Sequence, residues 1–355
     1  MTIRFKKNEP LVEEVPLIKI AKKIETPFYV YSQKKITNAY NKIKKNINAE
    51  IFYAVKANSN QAIISILKNL GAGADVVSLG ELKRALKAGV SPKKIIFEGV
   101  GKSSEDIAYA IKKKIKQINI ESIEELKLVN SISKSLRKKT NIGIRINPNI
   151  DAQTLDKIST GRRTDKFGII FNQLPNVCDI LNNLNNVNVN GISCHIGSQI
   201  HDTKIFEKVF KKINEAIKIF SKKDIKIKSL DLGGGFGVTY KNEKEINLSK
   251  ISYLINKHFK KSFKISIEPG RYLVANSGML ITKILTTKKN GPINYLITDA
   301  GMQTFLRPSM YKTFHKIKSF SKNKKKMKYV IAGPICESSD ILSGNILLPK
   351  QQIGN

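Results

Sequence analysis

The segment from Glu50 to Ser59 combines a buried strand pattern with a lysine that ends it. Its sequence, Glu-Ile-Phe-Tyr-Ala-Val-Lys-Ala-Asn-Ser, predicts an apolar strand followed by Lys56 and small polar residues. Burial removes hydration from an amine and lowers its pKa, and the neutral amine is the form that condenses with an aldehyde to a Schiff base. A lysine that snorkels out of a strand end is the alternative for Lys56 taken by itself.

Polar or ionisable residues also end the apolar runs that follow along the chain. They are Asp75 with Ser78, Glu98, Glu121, Arg145 with Asn147, His195, Asp231 and Glu268. In a barrel of parallel strands the active site is built where the strands end, so these side chains are expected at one site.

A glycine-rich turn, Asp231-Leu-Gly-Gly-Gly-Phe-Gly237, follows the seventh of these runs. Gly233, Gly234 and Gly235 allow backbone N–H groups to surround a phosphate without interference from a Cβ atom. An ordinary turn is the alternative. The position favours phosphate, because the loops after strands seven and eight are the usual phosphate site of a (β/α)₈ barrel.

The eighth run ends in Glu268-Pro269-Gly270-Arg271. A carboxylate fixed by the following proline can keep a heteroaromatic nitrogen protonated, and Arg271 can clamp a carboxylate or phosphate. His195 can stack on a flat ring, and Ser198 can donate to a phosphate. A surface ion pair and a satisfied core histidine are the alternatives. The other histidines, His201, His258 and His315, have no matching context.

Together, a lysine for an imine, a glycine turn for phosphate, a carboxylate for a ring nitrogen and a planar stacking group predict a pyridoxal 5'-phosphate site. No metal site is predicted.

The elements that must position these residues alternate regularly between residues 51 and 268. Strands are predicted at 51–55, 73–77, 94–98, 117–121, 141–147, 189–195, 227–232 and 264–268. Helices are predicted at 61–70, 81–88, 104–113, 123–133, 174–184, 204–222 and 248–259. Such alternation predicts α/β architecture with a closed (β/α)₈ TIM-like barrel. An open doubly wound sheet is the alternative, but it usually carries its glycine-rich phosphate turn after the first strand.

The rest of the chain has a β-rich pattern. Strand-like segments at 279–285, 295–298 and 329–332 follow one another without helices between them. We therefore predict an N-terminal segment, 1–30, that joins a β-domain; a cofactor-binding barrel, 31–271; and a β-rich, sandwich-like or barrel-like domain, 272–355.

The composition limits the function classes. The formal net charge of +35 raises the possibility of nucleic-acid binding, but lysine is spread through most helices and accompanies abundant asparagine and isoleucine. This favours codon drift in an AT-rich genome, and the dense run Lys322–Lys328 is predicted to be a solvated loop. Three cysteines without paired spacing predict a reducing cytoplasm, and no segment resembles a signal peptide or membrane span. We expect neither a nucleic-acid nor a membrane partner.

The chain resembles the fold-type III pyridoxal phosphate decarboxylases, and most closely the diaminopimelate decarboxylases among them. The resemblance runs from about Thr26 to the end. It rests on motifs in the family's order: Phe52-Tyr-Ala-Val-Lys-Ala-Asn58, Ser159-Thr-Gly161 with Lys166-Phe-Gly168, His195-Ile-Gly-Ser-Gln199, Gly233-Gly-Gly235, Glu268-Pro-Gly-Arg271, Phe305-Leu-Arg-Pro-Ser-Met-Tyr311 and Cys336-Glu-Ser-Ser-Asp340.

The resemblance implies a role for each matching residue. Lys56 would carry the cofactor imine and His195 would stack on the ring, while Asp75, Ser198, the glycine turn and the Glu268–Arg271 segment would complete the cofactor site. Arg271, Arg307, Tyr311 and Glu337 would bind the far end of the substrate. Cys336 would protonate the α-carbon from the partner subunit of a homodimer with shared active sites.

The substrate implied is meso-2,6-diaminopimelate, decarboxylated to L-lysine in the last step of lysine biosynthesis. Its far end has both a carboxylate, for which Arg271 and Arg307 are suited, and an ammonium group, for which Glu337 is suited. Ornithine lacks that carboxylate, and in alanine racemases an arginine replaces the glutamate at the pyridine nitrogen. A decarboxylase of other basic amino acids or carboxylated polyamines and a cofactor-binding regulatory protein are the alternatives.

The sequence stops at Gln351–Asn355, before the Gly-Ala-Tyr-Gly-like segment whose tyrosine touches cofactor and substrate in the family. We therefore expect an incomplete β-domain with unpaired sheet edges.

Overall fold

The computed structural model describes residues 4–6, 9–152, 154 and 158–355. The chain forms two compact units. The barrel unit comprises Lys35–Val238 and Lys244–Asn276, and the β unit comprises Met1–Lys34, Thr239–Glu243 and Ser277–Asn355.

Eight parallel strands of the barrel unit close on themselves within the described part of the chain. They are β1 (Glu50–Ala54), β2 (Gly73–Val76), β3 (Ile95–Phe97), β4 (Gln117–Ile120), β5 (Thr140–Asn147), β6 (Val187–Ser193), β7 (Ser229–Asp231) and β8 (Lys264–Ile267). Each strand pairs with the next along the chain, and β8 pairs with β1 through Ser266 opposite Glu50. A two-residue strand, Ile169–Ile170, adds to the end of β5. The predicted (β/α)₈ barrel is therefore confirmed.

Helices connect the strands. They are α1 (Gln33–Asn46), α2 (Gln61–Asn69), α3 (Leu79–Lys87), α4 (Ser104–Lys112), α5 (Ile123–Ser135), α6 (Leu174–Asn182), α7 (Thr203–Ser221) and α8 (Leu248–His258). Side-chain caps start most of them: Asn60, Ser78, Ser103, Ser122, Asp202 and Asn247 each accept a hydrogen bond from a backbone N–H of the first turn. Helix α1 was not among the predicted helices. None of the helices in the described residues has the length and apolar composition to cross a membrane.

Amide side chains occupy part of the barrel interior. Gln117 donates to Asn119 at 2.6 Å, and Asn190 donates to Gln117 at 3.0 Å. Gly143 faces this pair, because a Cβ atom there would lie 2.2 Å from the Asn119 Oδ1 atom. These amide side chains occupy the interior of the barrel between the strands. A site is therefore expected at the carboxyl ends of the strands, as is usual for this fold.

The described residues of the β unit form three small sheets. Arg4–Lys6, Glu9–Val12 and Val15–Pro16 form an antiparallel sheet, and Phe28–Tyr31 pairs antiparallel with Gly278–Ile281. The largest sheet orders its strands Ile284–Asn290, Ile293–Thr298, Lys326–Ala332 and Ile341–Pro349. Its core consists of Ile284, Leu296, Tyr329, Ile331 and Leu348. The predicted separate β-rich domain is confirmed.

Three local predictions for the β unit were wrong. The run 279–285 is two strands, because Thr282 and Lys283 leave the extended ladder and bind the Asp299 carboxylate. A short helix, Arg307–Tyr311, lies among segments predicted to have none. The lysine run 322–328 is only partly a loop, since its last three residues begin the strand Lys326–Ala332.

Candidate active site

Lys56 stands at the mouth of the barrel. The chain leaves β1 in a single 3-10 turn, Val55–Ala57, which places Lys56 directly beyond the strand. Its side chain is 47% exposed, and its Nζ atom lies 3.6 Å from the Oδ2 atom of Asp75 in β2. The amine predicted to do the chemistry therefore faces both solvent and a buried carboxyl group.

The pKa of the Lys56 amine is shifted upwards, opposite to the expected direction. Burial acts to lower this pKa, as the sequence led us to expect. The nearby carboxyl groups of Asp75 and Glu268 outweigh burial, so the pKa lies above its ordinary value of 10.5. Glu98 acts in the same sense and Arg145 opposes it. The prediction of a neutral Lys56 amine is therefore wrong for the protein itself: the amine is charged and must pass on a proton before it reacts.

Two buried carboxyl groups near Lys56 have pKa values raised above the ordinary range. Burial raises the pKa of Asp75 to about 7, although Lys56 acts to lower it. Burial, reinforced by the charges of Asp231 and Asp75, raises the pKa of Glu268 well above its ordinary range. Both side-chain oxygens of Asp75 and the Oε1 atom of Glu268 lack a hydrogen-bond partner in the described structure. Buried polar atoms of this kind usually have partners, so these oxygens point to a bound group.

A buried ion triad lies beside these groups. The Nη1 atom of Arg145 is 2.7 Å from Glu121 and 3.4 Å from Glu98, and the guanidinium lies 5.0 Å from the centre of the Phe167 ring. Burial opposes the charge of Glu98, but Arg145 and a hydrogen bond from Asn119 lower its pKa below the ordinary value. The lowered pKa of Glu98 and the raised pKa of Arg145 both favour the charged forms of these two groups.

The sequence identified Glu98, Glu121 and Arg145 as strand ends but gave them no catalytic, cofactor-binding or substrate-binding role. The sequence contains one indication of this triad, the charged Arg145 inside the apolar run Ile142-Gly-Ile-Arg-Ile146. A charge on the interior face of such a strand needs partners.

His195 lies two residues beyond β6 and is neutral. Its Nδ1 atom accepts a hydrogen bond from the Gly234 N–H at 3.1 Å, so the ring hydrogen is on Nε2. Burial, with the positive charges of Lys56 and Arg145, holds the pKa of His195 well below 6.5. The Thr160 hydroxyl donates to the His195 carbonyl at 3.0 Å and fixes the backbone. A neutral, oriented imidazole is suited to stack on a flat ring.

The glycine turn packs tightly against the loops that carry His195 and Glu268. The Gly233 N–H donates to Asp231 at 2.9 Å, and the Glu268 N–H donates to the Gly233 carbonyl at 2.8 Å. Gly235 has a φ of +88°, and a Cβ atom there would lie 2.6 Å from the carbonyl oxygen of Gly197. The cradle therefore tolerates no side chain at this point.

The last barrel loop reaches both the phosphate side and the lysine side of the mouth. The Nε atom of Arg271 donates to the Ser198 hydroxyl at 2.9 Å. The Ala54 N–H, two residues before Lys56, donates to the Pro269 carbonyl at 3.4 Å. A Cβ atom on Gly270 would lie 3.0 Å from the Cβ atoms of both Ala54 and Ala57. The loop therefore packs directly on the turn that carries the reactive amine.

These residues fit pyridoxal phosphate. The fit rests on the unpartnered Glu268 oxygen, the glycine cradle, the neutral His195 ring and the Lys56 amine, all of which belong to the barrel unit.

The other predicted site residues belong to the β unit. Arg307 and Tyr311 share the helix Arg307–Tyr311, with the Arg307 guanidinium 5.5 Å from the centre of the Tyr311 ring. Cys336 and Glu337 lie in the exposed segment before Ile341–Pro349. Their assignment to the substrate remains a prediction.

Comparison with known proteins agrees with this site. Residues 33–275 match the family described as pyridoxal-dependent decarboxylase, pyridoxal binding domain. The fold and the site therefore define the class as pyridoxal-dependent decarboxylases built on a (β/α)₈ barrel.

Comparison with individual relatives identifies the family within this class to which the chain belongs. The chain is 38% identical to diaminopimelate decarboxylase of Zymomonas mobilis, over 94% of this chain and 82% of that protein. It is 41% identical to diaminopimelate decarboxylase of Helicobacter pylori strain J99, over 93% of this chain and 83% of that protein. The crystal structure of the Helicobacter pylori enzyme complexed with L-lysine superposes with a TM-score of 0.91 at 39% identity, covering 95% of this chain and 86% of that chain. The chain belongs to the diaminopimelate decarboxylase family, as the sequence motifs indicated.

Proposed function

We propose that this chain uses pyridoxal phosphate to decarboxylate meso-2,6-diaminopimelate to L-lysine, the last step of lysine biosynthesis. One observation carries the proposal: the Lys56 amine lies at the barrel mouth among buried carboxyl groups, one of which, Glu268, has an unpartnered oxygen. The family membership identifies the reaction that this arrangement supports.

Pyridoxal phosphate, when bound, supplies an electron-withdrawing ring that stabilises negative charge on the α-carbon of the substrate. Lys56 would hold it through Nζ, and His195 would cover the ring. Ser198, the Gly233–Gly235 turn and Arg271 would hold the phosphate. Asp75 and Glu268 would complete the site.

The carboxyl groups at the mouth of the barrel would influence the charges on the lysine amine and on the ring nitrogen. Asp75 has a pKa of about 7, so its carboxylate form, which stabilises the charged Lys56 amine, is populated near neutral pH. Burial, with the charges of Asp231 and Asp75, raises the pKa of Glu268 well above its ordinary range, and a positively charged ring beside it would favour its carboxylate form. His195 stays neutral and adds no competing charge.

The β-unit residues are proposed to select the substrate. Arg307, with Arg271, would bind the far carboxylate, Glu337 the far ammonium group, and Tyr311 would contact the same end. Cys336 is exposed and would act as the proton donor to the α-carbon in the partner subunit of a homodimer. A cytoplasmic location and the domain limits 1–30, 31–271 and 272–355 are part of the same proposal.

Release of carbon dioxide tests this function. The full chain, loaded with pyridoxal phosphate, is expected to release carbon dioxide from meso-diaminopimelate and not from L-ornithine or L-arginine. Lys56→Ala is the control and should abolish release. Release of carbon dioxide from ornithine or arginine, without release from diaminopimelate, would show that the proposed substrate is wrong. Cofactor binding without any turnover would favour a regulatory protein.

A further inference from the structure

Arg307 is surrounded by aromatic side chains in the β unit. The Arg307 guanidinium lies 5.5 Å from the ring centres of both Tyr240 and Tyr311. Contacts of this length attract a cation to the negative face of an aromatic ring. Two rings therefore restrict where this guanidinium lies.

A histidine that the sequence gave no role completes these contacts. The Nε atom of Arg307 donates to the Nε2 atom of His315 at 3.4 Å, and the Thr313 hydroxyl lies 3.3 Å from the same nitrogen. The His315 ring packs edge-on against Phe305, with ring centres 4.6 Å apart, and against Tyr240, with ring centres 5.3 Å apart. His315 is thus itself held in place.

Tyr240 is fixed by its own turn. The Glu243 carboxylate accepts hydrogen bonds from the backbone N–H groups of Tyr240 at 2.9 Å and Lys241 at 2.7 Å. The Thr239 hydroxyl donates to the Glu243 carbonyl at 2.9 Å. The Tyr240 ring that faces Arg307 therefore projects from a turn whose backbone is held in place by these hydrogen bonds.

These contacts orient the guanidinium as well as place it. Because the Nε–H of Arg307 is directed to His315, bidentate pairing with a carboxylate would use the edge formed by the two Nη atoms. Bidentate pairing of carboxylate and arginine needs such a fixed plane.

We propose that His315 and Tyr240 are positioning residues that aim Arg307 at the far carboxylate of the substrate, and so set the preference for substrates with a second carboxylate. This inference rests on the proposed function, because it takes Arg307 as the partner of that carboxylate. The residues act through Arg307 and take no part in the bond changes at the α-carbon.

Two related ligands distinguish a positioning role of these residues from a general loss of structure in the variants. L-lysine keeps the far carboxylate of diaminopimelate, whereas 1,5-diaminopentane lacks it. Isothermal titration of the pyridoxal phosphate-loaded chain measures the dissociation constant of each. His315→Phe keeps the ring packing but removes the acceptor, and should weaken L-lysine binding by about tenfold, the value expected for a lost hydrogen bond to a charged group, without changing 1,5-diaminopentane binding. His315→Gln, which restores an acceptor, should bind L-lysine close to the natural chain.

Tyr240 gives an independent variant pair. Tyr240→Phe keeps the aromatic face and should leave both dissociation constants unchanged. Tyr240→Leu removes the face and should weaken L-lysine binding by about threefold to fivefold, with no effect on 1,5-diaminopentane.

Arg307→Ala separates the role of Arg307 from the roles of its neighbours. If Arg307→Ala does not weaken L-lysine binding relative to 1,5-diaminopentane, the role of Arg307 in the proposed function is wrong. If Arg307→Ala weakens it but His315→Phe and Tyr240→Leu do not, the positioning role is overturned and the proposed function stands. Equal weakening of both ligands in the His315 and Tyr240 variants would also overturn the positioning role.

Discussion

The Nζ atom of Lys56 lies 3.6 Å from the Asp75 carboxylate, yet the two side chains differ completely in exposure, 47% for Lys56 and 0% for Asp75. Burial makes the charged form of Asp75 costly and raises its pKa to about 7 despite the neighbouring amine. The ion pair therefore forms only as the pH rises into the neutral range. The same carboxylate then stabilises the charged form of the Lys56 amine and keeps the pKa of that amine raised.

This relationship predicts a pH-dependent stability difference for Asp75→Asn. The folded pKa of Asp75, about 7, lies above its ordinary value of 3.8. Folding therefore favours the protonated carboxyl, and the stability that this group contributes is complete below about pH 3.8 and is lost as the pH rises to about 7. Asparagine cannot ionise, so Asp75→Asn should become more stable than the natural chain above pH 7, by at most about 4 kcal/mol.

Urea unfolding of the full chain at pH 5 and pH 8, without added pyridoxal phosphate, measures this difference. The gain in unfolding free energy for Asp75→Asn should widen from pH 5 to pH 8. A gap that stays constant, or narrows, would mean that Asp75 of the folded chain does not lose its proton between these two pH values, and would contradict the pKa of about 7.

The second prediction concerns Glu268, whose Oε1 atom is buried without a hydrogen-bond partner in the described residues. Glu268→Gln keeps the shape of the side chain but cannot carry negative charge beside a protonated ring nitrogen. We expect kcat for carbon dioxide release to fall by about 10² to 10³, the usual loss for a removed electrostatic stabiliser, while pyridoxal phosphate remains bound. Glu268→Asp, which keeps the charge, should retain more activity, and equal activity of the Gln variant and the natural chain would contradict the assignment.

A third prediction separates the cofactor cradle from ordinary glycine strain. Gly235 and Gly291 both have positive φ, +88° and +53°. A Cβ atom added to Gly235 would meet a backbone atom within 3 Å, whereas one added to Gly291 would meet nothing within 4 Å. Alanine at either position carries the strain of a positive φ, about 1 kcal/mol. Of the two variants, Gly235→Ala alone must also displace the Gly197 loop.

We therefore expect Gly235→Ala to weaken pyridoxal phosphate binding by at least about tenfold, as a displaced cradle costs about 1.4 kcal/mol or more. Gly291→Ala should bind the cofactor normally. Fluorescence titration with pyridoxal phosphate gives both affinities, and similar affinities for the two variants would show that the turn does not hold the phosphate.

The sequence could predict the barrel because its signals are local. Each strand is a short apolar run, most helices begin at a side-chain cap, and the strand order follows the chain order. Lys56 was found for the same reason, since its strand and its turn are contiguous in sequence.

What the sequence could not predict depends on residues that only the fold brings together. The pKa of Lys56 rises because Asp75 and Glu268, from β2 and the loop after β8, converge on it. His315 lacked any motif, and its contact with Arg307 depends on the conformation of the segment between them. Lys102 stands in Gly101-Lys-Ser-Ser104, a pattern typical of a solvated loop, yet its side chain is fully buried.

Lys102 leads to the last prediction, which compares two lysine–glutamate pairs of nearly equal length. Lys102 lies 2.6 Å from Glu125 with 0% and 11% of their side chains exposed, and Lys42 lies 2.5 Å from Glu245 with 48% and 56% exposed. Lys102 also donates to the carbonyl oxygens of Gly99 at 2.6 Å and Asn119 at 2.8 Å, so it joins the loop after β3 to strand β4.

Lys102→Met would remove the ammonium donor from the carbonyl groups of Gly99 and Asn119 and from the Glu125 carboxylate, which would keep only the Glu121 N–H. We expect it to lower the free energy of unfolding by about 3–5 kcal/mol, whereas Lys42→Met should lower it by less than about 1 kcal/mol, because water replaces the lost partner at the surface. Urea unfolding of both variants under the same conditions measures the difference. Equal losses would show that the contact distance, rather than burial, determines how much each pair contributes to the free energy of unfolding. They would also show that Lys102 does not stabilise the mouth of the barrel.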